Sequence, residues 1–418
     1  MTNRIHVVGA GLAGLAAAVR LSSQGVAVTL HEAAGHAGGR CRSFHDKLTD
    51  RHIDNGNHLI LGGNLEVLAY VGAIGAKPNL REIRPARFAF LDLTSGQRWS
   101  LEPGSWLWWI FQDSRLPPGV GAIGLVADAL RLATAAPADA IAERLDAAGQ
   151  RFRRLWAPLA VAALNTEAEI ASARALWAVV RETLLKGEAA SRPLVAVHGL
   201  SEAFVEPALQ TLARQGAEVR FGARLKGLDD DRARVIRMAF AERTIALEPG
   251  DQMVLAVPPA QAQALLPALP APTAYSAILN AHFVLPEGVG LPAETPFLGL
   301  LGGTAEWLFQ RADVLSVTVS AANRFAAVTD REIAALIWRD LAPVLGLAGG
   351  PVPAHRLIIE KRATPAQVPA WEIRRPGPET PFSNLVLAGD WTRTGVPATL
   401  EGAVRSGHRA AEIVLGRL

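Results

Sequence analysis

A glycine-rich stretch between residues 5 and 40 constrains the fold of this chain more than any other feature. The apolar run Ile5–Val8 predicts a short strand, and Val26–Leu30 predicts a second strand after an intervening helix. The turn that leaves the first strand reads Gly9, Ala10, Gly11, Leu12, Ala13 and Gly14. This order predicts a βαβ unit that binds a dinucleotide, with the pyrophosphate at the helix N-terminus.

The residues of this unit have separate expected roles. Gly9 permits the tight turn, Gly11 lets the backbone approach the pyrophosphate, and Gly14 lets the helix pack closely on the strand. Glu32 follows the second strand, where its carboxylate can accept hydrogen bonds from ribose hydroxyls. A ribose 2′-phosphate would meet like charge there, so the pattern disfavours NADP.

A second glycine turn, Gly38-Gly39-Arg40, extends the motif and brings a cation towards the same phosphates. Small and apolar residues also stand where the helix must pack on the strands: Leu15, Ala18, Leu21, Gly25 and Val28. The whole stretch resembles the N-terminus of the FAD-dependent amine oxidase and phytoene desaturase superfamily. The resemblance implies that FAD is the cofactor. It also implies that the FAD is not covalently bound, because Cys41 does not stand where the superfamily attaches flavin.

Composition narrows the class of protein. A chain of 418 residues with 50% hydrophobic and 19% charged residues is globular and long enough for two or three domains. The net charge of +3 is too small to predict nucleic-acid binding, although it is compatible with an anionic membrane surface. Cys41 is the only cysteine, which predicts a reducing compartment. We expect a cytoplasmic protein at the membrane surface, because no signal peptide or membrane span is apparent.

The order of predicted elements indicates an α/β protein with two discontinuous domains. A Rossmann-like FAD domain of the glutathione-reductase type is expected from residues 1–63, 191–260 and 376–418. Residues 64–190 and 261–375 are expected to form an α+β substrate domain. Its first part is predicted to be mainly helical with a hairpin at Phe88–Leu101, and its second part supplies a large antiparallel sheet.

Three tryptophans occur within four residues of the helical part, at Trp106, Trp108 and Trp109. One interpretation is packing in the core of a helical subdomain. Two others are contact with a membrane interface, through residues 105–125, and the mouth of an apolar substrate tunnel. The sequence leaves these alternatives open.

The C-terminal stretch carries the second strong motif. The apolar run Asn384–Ala388 predicts a strand that ends at Gly389 and Asp390, and a new helix begins near Ala398–Glu401. The resemblance implies that Gly389 and Asp390 meet FAD, with Asp390 hydrogen-bonded to the ribityl chain. It further implies that the amides near Thr399 and Leu400 face the flavin pyrimidine, where they would stabilise negative charge. By the same resemblance, the backbone of Leu225 would contact the adenine end.

Motifs near both ends separate the branches of the superfamily. Amine oxidases of the monoamine type carry an aromatic residue where this chain has Thr399, and a lysine on a strand matching Ala277–Leu285, which has none. The Gly-Asp-Trp-Thr sequence at 389–392 and Glu-Lys-Arg-Ala-Thr at 360–364 instead resemble the carotenoid desaturase branch. With Asp-Asn-Gly-Asn-His at 54–58, the chain most resembles the squalene-associated branch of bacterial hopanoid biosynthesis.

That branch implies a reductive reaction, in which hydroxysqualene loses an allylic hydroxyl and becomes squalene. Reduced flavin supplies a hydride, and a general acid must help the hydroxyl leave as water. His58 is the first candidate, because imidazole titrates near neutrality and the polar loop at 54–58 is expected near the flavin ring, with Asn55 and Gly56. Asp54 is expected to orient His58 or to replace it, and His282 is a further candidate that is more readily structural.

Two other functions remain open beside this reductive reaction. A carotenoid desaturase of the phytoene type would run the hydride in the opposite direction, and a non-catalytic lipid-binding flavoprotein is a third class. The expected partners are a hydrophobic isoprenoid substrate, the membrane surface and a synthase of the same pathway, without nucleic acid. No metal is expected, because the ten histidines and one cysteine show no ligand spacing.

Overall fold

The computed structural model describes residues 3–292 and 295–418. The strands of its first 200 residues are β1 (Arg4–Val8), β2 (Ala27–His31), β3 (Ser43–Asp46), β4 (Arg51–Asp54), β5 (Ile60–Leu61), β6 (Leu80–Glu82), β7 (Phe88–Asp92), β8 (Arg98–Leu101) and β9 (Pro193–Ala196). The later strands are β10 (Glu218–Arg220), β11 (Leu225–Asp230), β12 (Val235–Phe240), β13 (Thr244–Ala246), β14 (Gln252–Leu255), β15 (Tyr275–Val284), β16 (Phe297–Leu301), β17 (Trp307–Arg311), β18 (Val314–Val319), β19 (His355–Pro365) and β20 (Leu385–Leu387).

Helices alternate with these strands. They are α1 (Leu12–Ser22), α2 (Leu65–Ala73), α3 (Ala122–Ala133), α4 (Ile141–Arg144), α5 (Ala157–Leu164), α6 (Ala173–Glu182), α7 (Glu188–Ser191), α8 (Glu206–Arg214), α9 (Pro259–Leu265), α10 (Asp330–Val344), α11 (Pro369–Arg374) and α12 (Leu400–Leu415). Two π-helical turns, Phe152–Trp156 and Ser201–Val205, lead into α5 and α8. No helix in residues 3–292 and 295–418 is long and apolar enough to cross a membrane.

A five-stranded parallel sheet joins distant parts of the chain, in the order β10-β2-β1-β14-β20. The small residues Ala16, Ala17 and Ala18 let α1 approach both this sheet and α12. An added Cβ at Gly407 of α12 would lie 2.1 Å from the carbonyl oxygen of Ala13, so the two helices touch through backbone. The C-terminal helix is therefore packed against the first glycine turn.

A seven-stranded sheet forms the second layer, in the order β19-β15-β18-β17-β16-β7-β8. It is antiparallel except where β16 runs parallel to β7. Leu279, Ala281 and Phe283 of β15 are buried under α10, whereas the intervening residues face the other side. The hairpin predicted at Phe88–Leu101 is confirmed as β7 and β8, which extend this sheet.

Strand β19 was missed by the sequence prediction. Its residues Glu360, Lys361 and Arg362 are exposed, since β19 is the edge strand and one of its faces meets water. Charged residues there interrupt the alternation that marks a strand. A separate three-stranded antiparallel sheet, β11-β12-β13, follows β10 in the chain.

The helical layer packs over the other end of the seven-stranded sheet. Trp156, Leu132, Leu164 and Leu176 from α3, α5, α6 and the first π-helical turn form its core, together with Phe90 and Trp99 of the sheet. Asp128 is buried within this layer and accepts hydrogen bonds from Arg151 and from the Trp156 indole, at 2.8 and 3.0 Å. Its charge is thereby compensated.

Candidate active site

The glycines of the first turn have different surroundings: two are required by close packing, and one faces open space. Gly9 has a φ of +104°, and an added Cβ would lie 2.4 Å from the carbonyl oxygen of Ala256. An added Cβ at Gly14 would lie 1.8 Å from the carbonyl oxygen of Gly9. At Gly11, the N-cap residue of α1, an added Cβ would meet no protein atom within 4 Å. The turn thus leaves room for a ligand beside the free first-turn amides of α1, including those of Leu12 and Ala13.

The second glycine turn lies directly against the first. Gly38 forms a parallel bridge with Gly11, and its N–H donates to the carbonyl of Ala10 at 2.8 Å. An added Cβ at Gly39 would lie 3.4 Å from the Cα of Gly11. Two stretches of backbone without side chains therefore border the same space, which suits a pyrophosphate.

Glu32 is held at the end of β2 by backbone donors. Its carboxylate accepts hydrogen bonds from the N–H groups of Ala10 and Ala34, at 2.7 and 2.8 Å. Its carbonyl accepts from the N–H of Ala223, two residues before Leu225 begins β11. The structure thus brings the predicted ribose and adenine residues to one edge of the parallel sheet.

Arg40 joins the N-terminal motif to the C-terminal one. Its Nη2 donates to Oδ1 of buried Asp390 at 2.7 Å, and its Nη1 donates to the carbonyl of Ala363. The side chain of Asn55 braces this turn, since its Nδ2 donates to the Arg40 carbonyl and its Oδ1 accepts from the Arg42 N–H, both at 2.9 Å. Asn55 therefore acts on the arginine turn, a role that the sequence did not indicate.

The segment after β20 is fixed around Gly389. Gly389 has a φ of +144°, and its N–H donates to Ser406 Oγ of α12 at 2.7 Å. Thr399 is the N-cap residue of α12, and its hydroxyl accepts from the N–H of Gly402 at 3.3 Å. The amides of Leu400 and Glu401 consequently have no partner within the helix and can receive an electronegative group.

Arg375 is a buried residue of this region that sequence reasoning missed. Its guanidinium donates to the carbonyls of Asp390, Thr392 and Val396 at 2.7, 2.5 and 2.9 Å. Glu372 accepts a further hydrogen bond from it at 3.0 Å. One fixed fork of donors therefore holds the loop that presents Asp390. No sequence signal marks the hold of this arginine on the loop, because three of the groups that it contacts there are backbone carbonyls.

Gln367 ties the helical layer to the same region. Its Nε2 donates to the carbonyl of Leu164 at 2.8 Å, and its Oε1 accepts from the N–H of Ala398 at 2.8 Å. The residue is fully buried, so these bonds satisfy groups that would otherwise be costly to bury.

His58 lies half-buried beside the Arg40 turn. Burial lowers the pKa of its imidazole below the ordinary value of 6.5, and the negative charge of Asp54 acts in the opposite direction. His282 is buried on β15, where its Nδ1 lies 2.7 Å from Ser316 Oγ and burial lowers its pKa to about 4. The structural interpretation of His282 therefore fits its surroundings.

The Asp54 carboxylate is held by donors from other segments of the chain. Its carboxylate accepts from Ser43 Oγ at 2.5 Å, from the Leu200 N–H at 3.0 Å and from Arg311 at 2.7 Å. Among the described residues it has no hydrogen bond to His58. The structure thus gives Asp54 three other partners, and its expected role, to orient His58 or to replace it, stays a prediction.

The loop at 54–58 docks on the open face of the seven-stranded sheet. Asn280 Nδ2 donates to the carbonyl of Asn55 at 3.3 Å, and an added Cβ at Gly56 would lie 3.3 Å from the same nitrogen. Asn57 Nδ2 donates to Thr318 Oγ1 at 3.0 Å. Gly56 is thus needed for a close approach between loop and sheet, and this approach fixes the position of His58.

The tryptophan run is divided between core and surface. Trp109 is 5% exposed and packs in the helical layer, whereas Trp106 and Trp108 are 78% and 75% exposed. Other exposed apolar residues of this region are Leu107, Phe111, Ile123, Val126 and Leu130. Core packing was therefore the right interpretation for Trp109 and the wrong one for the other two.

Comparison with protein families defines the class. The family described as flavin containing amine oxidoreductase matches residues 12–415. The structure resembles putrescine oxidase bound to putrescine, with a TM-score of 0.72 and 15% identity over 100% of this chain and 99% of that one. It also resembles cyclohexylamine oxidase from Brevibacterium oxydans, with a TM-score of 0.69 and 17% identity over 100% and 99%. The chain is an FAD-dependent oxidoreductase of the flavin-containing amine oxidoreductase family.

Sequence relatives narrow the family further. The chain is 44% identical to a hydroxysqualene dehydroxylase of Rhodopseudomonas palustris and 43% identical to one of Sinorhizobium fredii, each over 99% of both chains. A zeta-carotene desaturase of Synechocystis is 41% identical, but over only 19% of this chain and 16% of that protein. The chain therefore belongs to the hydroxysqualene dehydroxylase family.

Proposed function

We propose that this protein removes the allylic hydroxyl of hydroxysqualene and forms squalene. The observation that carries the proposal is the 44% identity to a hydroxysqualene dehydroxylase over 99% of the chain. The likeness to a zeta-carotene desaturase covers only 78 residues, and that to a phytoene desaturase, over 98% of the chain, is only 23% identical. The arrangement of the candidate site supports a flavin reaction, because the glycine turns, Arg40 and Asp390 border one space. When bound, reduced FAD supplies the hydride that replaces the hydroxyl.

The FAD would be held, without a covalent bond, by backbone at one end and side chains at the other. Gly9 to Gly14 and Gly38 to Arg40 would bind the pyrophosphate, with Glu32 on the ribose and the Leu225 backbone at the adenine. Asp390 would accept hydrogen bonds from the ribityl hydroxyls. The amides at Thr399 and Leu400 would face the flavin pyrimidine. Asn55 and Gly56 contribute by holding the loop beside this space.

The residue proposed to give the leaving hydroxyl its proton is His58. The reaction breaks a C–O bond next to an alkene, and protonation of the oxygen lets it leave as water. Since burial lowers the pKa of His58, the imidazolium is a stronger acid than an exposed histidine, although less of it is present at neutral pH. Asp54 is proposed to act at a distance, by holding Ser43, Leu200 and Arg311 together beneath the loop.

The expected division into domains is consistent with these roles. Residues 1–63, 191–260 and 376–418 would form the FAD domain, and they contribute every strand of the parallel sheet. Residues 64–190 and 261–375 would form the substrate domain, which contains the seven-stranded sheet and the helical layer.

The substrate also bears on where the protein works. Hydroxysqualene is nearly insoluble in water, so its affinity must come mostly from buried apolar area. The exposed patch of Trp106, Trp108 and Phe111, with Ile123 and Leu130 of α3, would let the protein rest on the cytoplasmic face of a membrane and take the substrate from it. A synthase of the same pathway would supply the substrate there.

The proposal is tested by comparing two substrates. Holoprotein with reduced FAD should convert hydroxysqualene in liposomes into squalene, identified by mass spectrometry. Holoprotein with oxidised FAD should form no additional conjugated double bonds in phytoene. The opposite pair of results would place the protein among the carotenoid desaturases and overturn the proposal.

A further inference from the structure

Two polar residues, Asn280 and Thr318, stand side by side on the face of the seven-stranded sheet that is turned away from α10, next to the pair His282 and Ser316. Asn280 of β15 pairs with Thr318 of β18, and Thr318 pairs in turn with Trp307 of β17. The same row continues through Gly299 to Phe90. It therefore begins with two hydrogen-bonding side chains and continues with aromatic rings.

Because Gly299 has no side chain, the rings of Phe90 and Trp307 can approach each other across it. An added Cβ at Gly299 would lie 2.5 Å from Phe90 Cδ1 and 3.3 Å from Trp307 Cη2. The rings of Phe90 and Trp307 meet edge to face with centroids 5.4 Å apart, and Trp99 stacks on the other side of Phe90 at 5.9 Å. Phe90 and Trp99 are covered by the helical layer, whereas Trp307 is only half-buried and is the ring of this row that a hydrocarbon chain can contact.

The orientation of the polar pair follows from the backbone groups that it contacts. Asn280 Nδ2 meets the carbonyl of Asn55, which can only accept, and Asn280 Oδ1 meets the N–H of Asn57, which can only donate. The Thr318 hydroxyl, 2.9 Å from Asn280 Oδ1, must therefore donate to it. Asn57 must in turn direct its Nδ2 to Thr318.

This chain of hydrogen bonds leaves one acceptor free. Within residues 3–292 and 295–418, Asn57 Oδ1 has no hydrogen-bond partner, although the rest of the amide is fixed by Thr318. Asn57 is half-buried and immediately precedes His58, the proposed proton donor. An oriented acceptor thus stands next in sequence to the proposed acid, at the polar end of the row that Asn280, Thr318 and Trp307 form.

We infer that Asn57 Oδ1 accepts the hydrogen bond of the substrate hydroxyl, and that Thr318 and Asn280 position Asn57 for this contact. The inference rests on the proposed function and assigns the residue that distinguishes an allylic alcohol from its hydrocarbon product. The alcohol's single polar group then lies at Asn57 and its chain extends along Trp307. Squalene, which lacks the hydroxyl, leaves Asn57 without this partner.

The contact also assists the bond that breaks. The alcohol donates its own O–H to Asn57 Oδ1, so the lone pairs of its oxygen remain available for the proton of His58. After that proton is transferred, the C–O bond breaks with its electron pair on oxygen and water leaves. Reduced FAD, when bound, would supply the hydride for the new C–H bond. Since a protonated hydroxyl is a stronger donor, the hydrogen bond to Asn57 strengthens as the bond breaks.

The test compares an alcohol with a hydrocarbon on the same holoenzyme. Asn57→Ala should lower kcat/KM for hydroxysqualene about 10- to 100-fold, because one oriented hydrogen bond is lost in a desolvated site. The inhibition constant of squalene should change less than about threefold, because squalene makes no such bond. Thr318→Val should give a smaller loss of the same kind, and Thr318→Ser, which keeps the hydroxyl, should restore the wild-type value.

The outcomes separate this inference from the function on which it rests. If Asn57→Ala weakened the enzyme's interaction with hydroxysqualene and with squalene by the same factor, Asn57 would only support the fold, and the inference would be overturned. Unchanged kcat/KM in Asn57→Ala would overturn it as well. Failure of the wild-type protein to convert hydroxysqualene would instead refute the proposed function. FAD content, measured on every variant, identifies any loss that arises from the cofactor.

Discussion

Asp390 Oδ1 lies 2.7 Å from Arg40 Nη2, although the two residues are 350 positions apart in the chain. Asp390 is buried at the end of β20, and Arg40 belongs to the second glycine turn after β2. This ion pair closes the space between the two terminal motifs. Because each motif alone is a common strand and turn, their junction is what makes the site specific.

Removing the charge of Asp390 should weaken FAD binding. Asp390→Asn leaves Arg40 without its anionic partner and lowers the acceptor strength at the ribityl position, so the dissociation constant of FAD should rise at least about tenfold. Titration of apoprotein with FAD measures this. Asp330→Asn, at an exposed position of α10, is the matched control and should bind as the wild type does. Unchanged affinity in Asp390→Asn would contradict the assignment.

Two glycines of the first turn should respond differently to alanine. Gly14→Ala should lower the free energy of unfolding of the apoprotein by about 3 kcal/mol, because the added Cβ meets the Gly9 carbonyl. Gly11→Ala should change it by less than about 1 kcal/mol, since nothing in the protein opposes the methyl group. Its FAD affinity should nevertheless fall about tenfold or more. Chemical denaturation and FAD titration measure the two quantities, and a Gly11→Ala variant that binds FAD normally would argue against the pyrophosphate position.

The buried Arg375 should matter through the loop that it holds. Arg375→Lys keeps the charge but cannot donate to three carbonyls in a fixed fork, so FAD should dissociate about tenfold faster. Arg374→Lys, at the adjacent exposed position, should leave the rate unchanged. Release of FAD is followed by its fluorescence. Equal rates in both variants would show that the loop does not depend on the guanidinium.

The pH dependence of turnover should identify the acid. Burial lowers the pKa of His58 below its ordinary value, so the imidazolium that donates a proton is lost as pH rises through this lowered pKa. The single-turnover rate should therefore be highest at acid pH and should fall as the solution approaches neutrality. His58→Ala should abolish dehydroxylation and retain FAD. Full turnover in this variant, or a rate that rises with pH, would refute the role of His58.

Substitutions of the exposed tryptophans should affect membrane binding, whereas substitution of the buried one should affect stability. Replacement of Trp106 and Trp108 by Ser should reduce sedimentation of the protein with liposomes and should change the unfolding free energy by less than about 1 kcal/mol. Trp109→Ser should lower the free energy of unfolding by about 3–5 kcal/mol, since that ring lies in the core of the helical layer. Undiminished sedimentation of the double variant would exclude this patch as the membrane contact.

Sequence reasoning was most successful where local chemistry fixes the structure. The turn at Gly9–Gly14 and the strand ending at Gly389 could be predicted because only particular residues permit those backbone conformations. The long strand β19 could not be predicted, since its exposed charges reflect an edge position that depends on the whole sheet. Local sequence patterns thus predict individual strands and turns more reliably than they predict which strands lie next to each other in a sheet.

Contacts between residues that are distant in the chain could not be predicted from the sequence. The partners of Asp54, including Arg311 at 2.7 Å, come from segments whose approach is set by tertiary packing. Arg375 contacts the loop around Asp390 mainly through backbone carbonyls, which every residue carries, so residue types do not reveal these contacts. The division of the tryptophan run also depends on tertiary packing, since Trp109 lies in the core of the helical layer and Trp106 and Trp108 lie outside it.

The most direct test of the central claim is an anaerobic single turnover. Reduced holoprotein is mixed with hydroxysqualene in liposomes, and flavin absorbance at about 450 nm is followed together with the amount of squalene. The account predicts that the absorbance of oxidised flavin returns and that one squalene forms for each flavin oxidised. Flavin that stays reduced in the presence of hydroxysqualene, without squalene, would contradict it.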